Sequence, residues 1–251
     1  IIGLKAEYEA EGSRDDEILR LAELAWKADL KLAIKIGGCE AVSDLQRCKE
    51  FGVDYVIAPM IESAYALSKY NQCIRKVYGT ETEGIKFLYN LETQLAFDNL
   101  DPILNVAAQS ENISGVVFGR VDFVHSKGFT REKCNSEEIT KCVIKVAEKS
   151  LPLHLDLVVG GAVSVESKTA LSQIRAIHLN RFETRKVIFS ASALDNVKLT
   201  QALNDAVLFE VLWLRNKFNH YNKIAQEDLA RLQMLEERMQ SVAATSAIAT
   251  A

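Results

Sequence analysis

With 251 residues, 48% of them hydrophobic and 25% charged, the chain can build one large α/β barrel domain or two small ones, and disorder is excluded for most of its length. A net charge of −4, with no basic cluster interleaved with aromatics, argues against a nucleic-acid surface. No stretch approaches the roughly 18 apolar residues of a membrane span, there is no signal peptide, and five cysteines without C-x-x-C spacing read as reduced thiols of a cytoplasmic protein.

The chain opens Ile1-Ile2-Gly3 without an initiator Met, which leaves room for a short piece ahead of it. Strand-like and helix-like segments then alternate. Leu4–Ala10 reads as a strand and Asp15–Ala28 as a helix, with Ser13 as its cap and three acids in its first turn. Strands follow at Lys31–Gly37 and Tyr55–Met60, and helices at Ala41–Glu50 and Ser63–Val77. Two apolar strands come next, carrying Glu92 and Asp122, with a loosely helical Thr93–Asn105 between them. A helix over Ser136–Lys149, a strand over Leu153–Val159 and a helix over Val165–Arg175 lead into Ile177–Phe189, which holds the last strand or strands. That makes seven clear strands, with an eighth either ahead of Ile1 or hidden by a break within Ile177–Phe189. Such alternation argues a parallel sheet with crossover helices, and the expectation is a (β/α)8 TIM barrel over 1–190. Beyond it, 191–240 reads as a helical arm, with Leu229, Leu232, Leu235 and Met239 on one stripe. This arm suits a subunit contact in a homo-oligomer or a cover for its own barrel. Residues 241–251 read as a flexible tail.

The chemistry is expected on the inward faces. Alternation along the strands turns Lys5, Glu7, Glu9 and Glu11 into the lumen, with Lys31, Ala33, Lys35 and Gly37 on the next strand and His154 and Asp156 on the sixth. Barrel interiors are normally packed with branched apolar residues. Charges placed there must pair with one another, hold a metal or meet a charged substrate. Glu92 and Asp122 lie one strand–helix–strand unit apart, so neighbouring strands bring both to the C-terminal rim. By the same parity, Phe118, Arg120 and Asp122 share a strand face. Two hard oxygen ligands suit Mg²⁺ or Mn²⁺ better than zinc.

The runs V-D-Y-V-I-A-P-M-I-E-S-A (53–64), F-L-Y-N-L-E-T (87–93) and G-V-V-F-G-R-V-D-F-V-H-S-K-G (115–128) resemble the HpcH/HpaI aldolase / citrate lyase β-subunit family over roughly residues 2–190. The resemblance implies a phosphoenolpyruvate/pyruvate-type barrel that cleaves or forms carbon–carbon bonds next to a pyruvate- or acetate-type enolate. It implies that Glu92 and Asp122 hold the divalent metal and that Gly119, Arg120, Val121, His125 and Ser126 contact a small 2-oxo acid. Lys35 stands where the family places an arginine, and Arg120 where it usually has proline. Lys35 then serves as the fixed cation beside the metal, with a Schiff-base role as the rival, and Arg120 adds a second cation. The histidine base of the aldolase branch is absent near Ala10, which leaves Glu7, Glu9 or His125 to move the proton, or Glu7 and Glu9 to form an ion-pair network with Lys5 and Lys35. Two alternatives remain: a barrel of this family that only binds or assembles, and an acyl-CoA lyase of the citrate lyase branch.

Overall fold

Short apolar strands, each too brief to bury itself, are closed into a ring by the amphipathic helices between them. A computed structural model describes the backbone of residues 1–249 and the side chains of residues 1–240. The strands are β1 (Gly3–Glu7), β2 (Lys31–Lys35), β3 (Tyr55–Ala58), β4 (Lys86–Leu91), β5 (Ile113–Gly119), β6 (Asp156–Gly160), β7 (Arg181–Glu183) and β8 (Val187–Ser190). They form a closed barrel in chain order. Between them run α1 (Asp15–Lys27), α2 (Val42–Glu50), α3 (Ala64–Tyr78), α4 (Gln94–Asp98), α5 (Leu100–Ala108), α6 (Arg120–Ser126), α7 (Glu137–Ser150) and α8 (Lys168–Arg175), followed by α9 (Leu199–Ala249).

The fold is the expected α/β barrel, and two details correct the reading of its parts. The missing eighth strand is the break within Ile177–Phe189. The turn Thr184–Lys186 reverses the chain, so β8 runs antiparallel to both β7 and β1 while the other neighbours pair in parallel. The second acid-bearing strand also stops early. β5 ends at Gly119, and Asp122 lies in the first turn of α6 rather than on a strand face with Phe118 and Arg120.

Inside the ring, Ala33, Ile57, Leu88, Val117, Val158 and Ile188 form an apolar layer. It divides the interior charges into two groups. Near the N-terminal strand ends, Asp156 takes Arg181 at 2.9 Å and Lys86 at 2.6 Å, and the Arg181 guanidinium lies 4.9 Å over the Tyr55 ring. Gly115 is required here, because a methyl group on it would sit 2.3 Å from the Asp156 carbonyl oxygen. Asp156 therefore does face inward, at the end opposite the C-terminal mouth. Its expected companion His154 does not: it occupies an exposed left-handed position at φ 55° before β6 begins. Lys31 is exposed and pairs with Asp54, while Glu9, Glu11 and Gly37 lie beyond their strands.

The chain divides into two units, Ile1–Val207 and Leu208–Ala251. The first contains the barrel and the buried Leu199, Leu203 and Ala206 of α9. The second is helical through Ala249. The expected tail over 241–251 falls where no side chain is described, and its last two residues lie outside the described chain. All five cysteines are free thiols. Among the described residues no helix is long and apolar enough to cross a membrane.

Candidate active site at the barrel mouth

Lys35 and Glu7 end β2 and β1 as register partners, and Glu92 follows the last residue of β4, so all three stand at the C-terminal mouth. Glu92 is 1% exposed, and each of its oxygens is held. The Met60 N–H donates to Oε1 at 3.0 Å; Asn90 Nδ2 donates to Oε2 at 2.6 Å, and Lys35 Nζ approaches Oε2 at 3.4 Å. Met60 reaches this position with a left-handed backbone, φ 50°, a conformation uncommon for a non-glycine residue. Burial raises the Glu92 carboxyl above the ordinary glutamate value, and Lys35, Asn90 and Met60 oppose it. An ionised carboxylate offers about four lone-pair positions, so three donors leave one open.

The Glu92 side chain leans over Gly119. A methyl group there would lie 2.6 Å from Oε2 and 2.8 Å from the Glu92 Cβ. Gly119 has φ −85°, which any residue tolerates, so the constraint is space. This close passage carries the Glu92 carboxylate onto the β5–α6 turn from which Asp122 projects, and the charge of Asp122 adds to the upward push on Glu92. Gly119→Ala should therefore displace Glu92, lowering activity by about 100-fold and stability by about 1–3 kcal/mol. Gly38→Ala, with nothing within 4 Å of the added carbon, is the matched control for steady-state kinetics and thermal unfolding.

Lys35 lies among carboxylates, with Glu9 Oε2 at 3.1 Å and Glu92 Oε2 at 3.4 Å. Burial alone would lower its pKa, but Glu92, Glu9 and Glu7 outweigh burial and hold the ammonium above the ordinary lysine value. A Schiff-base lysine needs the opposite shift, so the electrostatic role fits this environment and the nucleophilic one does not. An ammonium has three N–H donors; two are engaged and one remains.

Glu7 on β1 and Glu11 beyond it enter an ion-pair network. Lys5 Nζ reaches Glu183 at 2.5 Å and Glu7 at 3.3 Å, and Arg185 approaches Glu7 at 3.8 Å. Burial would raise the Glu7 pKa, yet Lys5, Lys35 and Arg185 keep it below the ordinary value, in the charged form. Glu11 is bound by Lys186 and, at 3.2 Å, by Arg185. Glu9 differs: its side chain is 29% exposed, and among the described residues its one ion pair is with Lys35.

Arg120 is not a second cation at the mouth. It is 1% exposed and clamps the segment after β6, donating from Nε to the Gly160 carbonyl at 3.2 Å, from NH2 to the Gly161 carbonyl at 2.8 Å, and from NH1 to Asn135 Oδ1 at 2.8 Å. With no carboxylate partner among the described residues, burial lowers its pKa to about 10. The other residues of that motif divide. His125 is exposed on α6. Ser126 Oγ donates to the Phe123 carbonyl and accepts from the Gln94 N–H, which fixes the hydroxyl. Gly161, at φ 80°, packs where a Cβ would come within 2.6 Å of the Val121 nitrogen. Glu62 Oε1 accepts from Thr93 Oγ1 at 2.7 Å.

Asn90 went unnoticed as a functional residue, although alternation from Leu88 through Asn90 to Glu92 was the available signal. It is buried, its Nδ2 holds Glu92, and its Oδ1 has no hydrogen-bond partner among the described residues. An orphaned oxygen beside a carboxylate with one open lone pair is a place for a hydrated cation. Among the described residues no group of three or more His, Cys, Asp or Glu gathers as a ready-made metal cage. The hard-oxygen donors here that could hold such an ion are Glu92 and Asp122, with water and substrate completing the shell.

The family model described as HpcH/HpaI aldolase/citrate lyase matches residues 23–159. Similar solved structures include an HpcH/HpaI aldolase from Desulfitobacterium hafniense DCB-2, at TM-score 0.58 and 14% identity over 82% of each chain. A HpcH/HpaI aldolase/citrate lyase family protein from Burkholderia cenocepacia J2315 gives TM-score 0.59 and 14% identity over 80% of this chain and 84% of the other. The citrate synthase SbnG gives 0.56 and 14% over 83% of each. At this identity the structural likeness speaks for the fold alone. No curated protein matches the sequence.

Proposed function

The chain belongs to the HpcH/HpaI aldolase/citrate lyase family, and from that premise we propose a divalent-metal-dependent carbon–carbon lyase of the aldolase type, which cleaves or forms a bond next to a pyruvate enolate in a 2-oxo acid. The observation that carries this reading is the buried Glu92 carboxylate, drawn over Gly119 toward Asp122 with the Lys35 ammonium beside it. Glu92 and Asp122 would hold the ion, Mg²⁺ or Mn²⁺ from their oxygen chemistry. When bound, it supplies Lewis acidity toward the carboxylate and 2-oxo oxygens of the pyruvate unit.

The chain's own groups do the rest. The spare N–H of Lys35 donates to the substrate oxygen on which negative charge grows, from an ammonium already fixed by Glu9 and Glu92. Asn90 and the Met60 N–H keep Glu92 oriented before substrate arrives. Glu9, partly exposed and ion-paired with Lys35, is the acid placed to exchange a proton with the substrate. Glu7 is locked as an anion among cations and sets the field around Lys35.

The test is pyruvate release from a panel of 4-hydroxy-2-oxo acids with and without Mg²⁺ or Mn²⁺, with acyl-CoA thioesters as a second panel. Turnover of the first panel that appears with metal and disappears with chelator is expected. A 2-oxo acid that binds calorimetrically without metal, and yields no product on long incubation, would replace the lyase with a binding barrel. Because Glu92 and Asp122 alone leave most of the shell to water and ligand, Mn²⁺ should bind at least tenfold more tightly in the presence of oxalate, as read by titration calorimetry.

A further inference from the structure

Past the barrel, α9 continues as a single helix whose apolar residues follow a heptad spacing over four repeats, the length at which such a pattern specifies a coiled coil. One set of seam positions holds Val211, Phe218, Ala225, Leu232 and Met239. The alternate set, three residues later in each repeat, holds Leu214, Tyr221, Asp228 and Leu235. Phe218 is 69% and Met239 73% exposed, and Val211, Leu214, Leu232 and Leu235 are exposed as well. Beyond Trp213 the outer face is mostly polar and carries a Lys223–Glu227 ion pair one turn apart, as a solvent face should.

We propose that residues 211–239 pair with the same segment of a second copy of this chain as a parallel, in-register, two-stranded coiled coil. The flanking positions select this occupant and this direction. In a parallel pair, each residue just before a seam repeat faces the residue five places later on the other helix. That rule sets Glu210 against Arg215 and Arg231 against Glu236, both of opposite sign, and sets Ile224 against Leu229, both exposed and apolar. Lys217 meets the neutral Asn222. Turned antiparallel about Ile224, the same helices would bring Ile224 to itself and Glu210 to Arg238 but would set Lys217 against Arg231, a like-charge clash that the parallel pair does not contain. The one discordant seam residue is Asp228, which brings two carboxylates together in either copy's groove and weakens the pair without altering its direction.

Sedimentation equilibrium of the full chain is expected to give the mass of two chains at micromolar concentration. Leu232→Asp with Leu235→Asp should halve that mass while the barrel's circular dichroism and melting are retained, and Asp228→Leu should tighten the dimer at least tenfold. Leu235→Cys under mild oxidation should form a covalent dimer absent from the wild type. Glu210→Arg should weaken association, and adding Arg215→Glu should restore it. A monomeric chain at 50 micromolar, a mass unmoved by the double aspartate variant, or preferential cross-linking of Leu214→Cys to Leu235→Cys in a mixture of the two variants would each overturn the proposal.

Discussion

Glu92→Gln should lower carbon–carbon bond cleavage by about three orders of magnitude while leaving the barrel folded, because it removes the charge that would anchor the ion and preserves the side chain's shape. The amide cannot reproduce the hydrogen bonding. Oε1 accepts from the Met60 N–H, and Oε2 accepts from Asn90 Nδ2 at 2.6 Å with Lys35 Nζ at 3.4 Å. Whichever end becomes NH2 meets a donor, so about 1–3 kcal/mol of stability should be lost as well. Glu92→Gln and Asp122→Asn therefore make an informative pair. Asp122 is half-buried and makes no hydrogen bond or ion pair among the described residues, so its replacement should remove activity with little change in melting. Turnover at wild-type rate in either variant would remove the metal assignment.

The second large effect is expected at Lys35. Lys35→Met removes the cation shared by Glu9 and Glu92 and leaves the latter buried with only Asn90 and a backbone N–H for company. Breaking a buried pair from one side costs about 3–5 kcal/mol, and the partial exposure of Glu9 puts this case near the lower end. The loss should depend on pH in a definite sense. Burial already raises the Glu92 pKa in the folded protein, and Lys35 is the largest opposing influence. Without Lys35 the folded pKa climbs further above its unfolded value, so the folded state tolerates Glu92 when protonated and pays when it ionises. The deficit relative to wild type should be small at low pH and grow as pH rises through the folded pKa of Glu92. Paired unfolding curves from pH 4 to pH 8 measure it directly, and a deficit that shrinks toward high pH would contradict the assigned burial. Lys35→Arg keeps the charge and should recover most of the stability.

The barrel was legible because its evidence is repeated: alternating apolar strands and amphipathic helices mark each unit, and the ring follows from their number. The mouth was legible only in part. Alternation placed Lys5, Glu7, Lys35 and Asp156 on inward faces, but a period of two says nothing about depth, so the Asp156–Arg181 cluster at the far end could not be told from the mouth. Parity also fails where a strand stops. Asp122 and Arg120 were counted along a strand that ends at Gly119, whereas both fall in the first turn of α6 about half a turn apart, which sends Arg120 to the carbonyl groups at the end of β6. Lys35 was found through its position, yet its cage of carboxylates comes from residues as distant in sequence as Glu9 and Glu92, and nothing local announces such a meeting. Met60 supplies a backbone N–H, which no side-chain pattern records.

The reversed stave β8 makes the rim lopsided. Where β7 meets β8, the mouth is finished by the three-residue corner Thr184–Lys186, whose basic residues are bolted to Glu11, so that flank has neither the length nor the slack to fold over a ligand. Room for altered specificity lies away from that corner, in the longer connections that follow β2, β3 and β5, at 36–41, 59–63 and 120–136. A designer grafting loops to change the accepted substrate would find purchase on that side and a closed wall on the other.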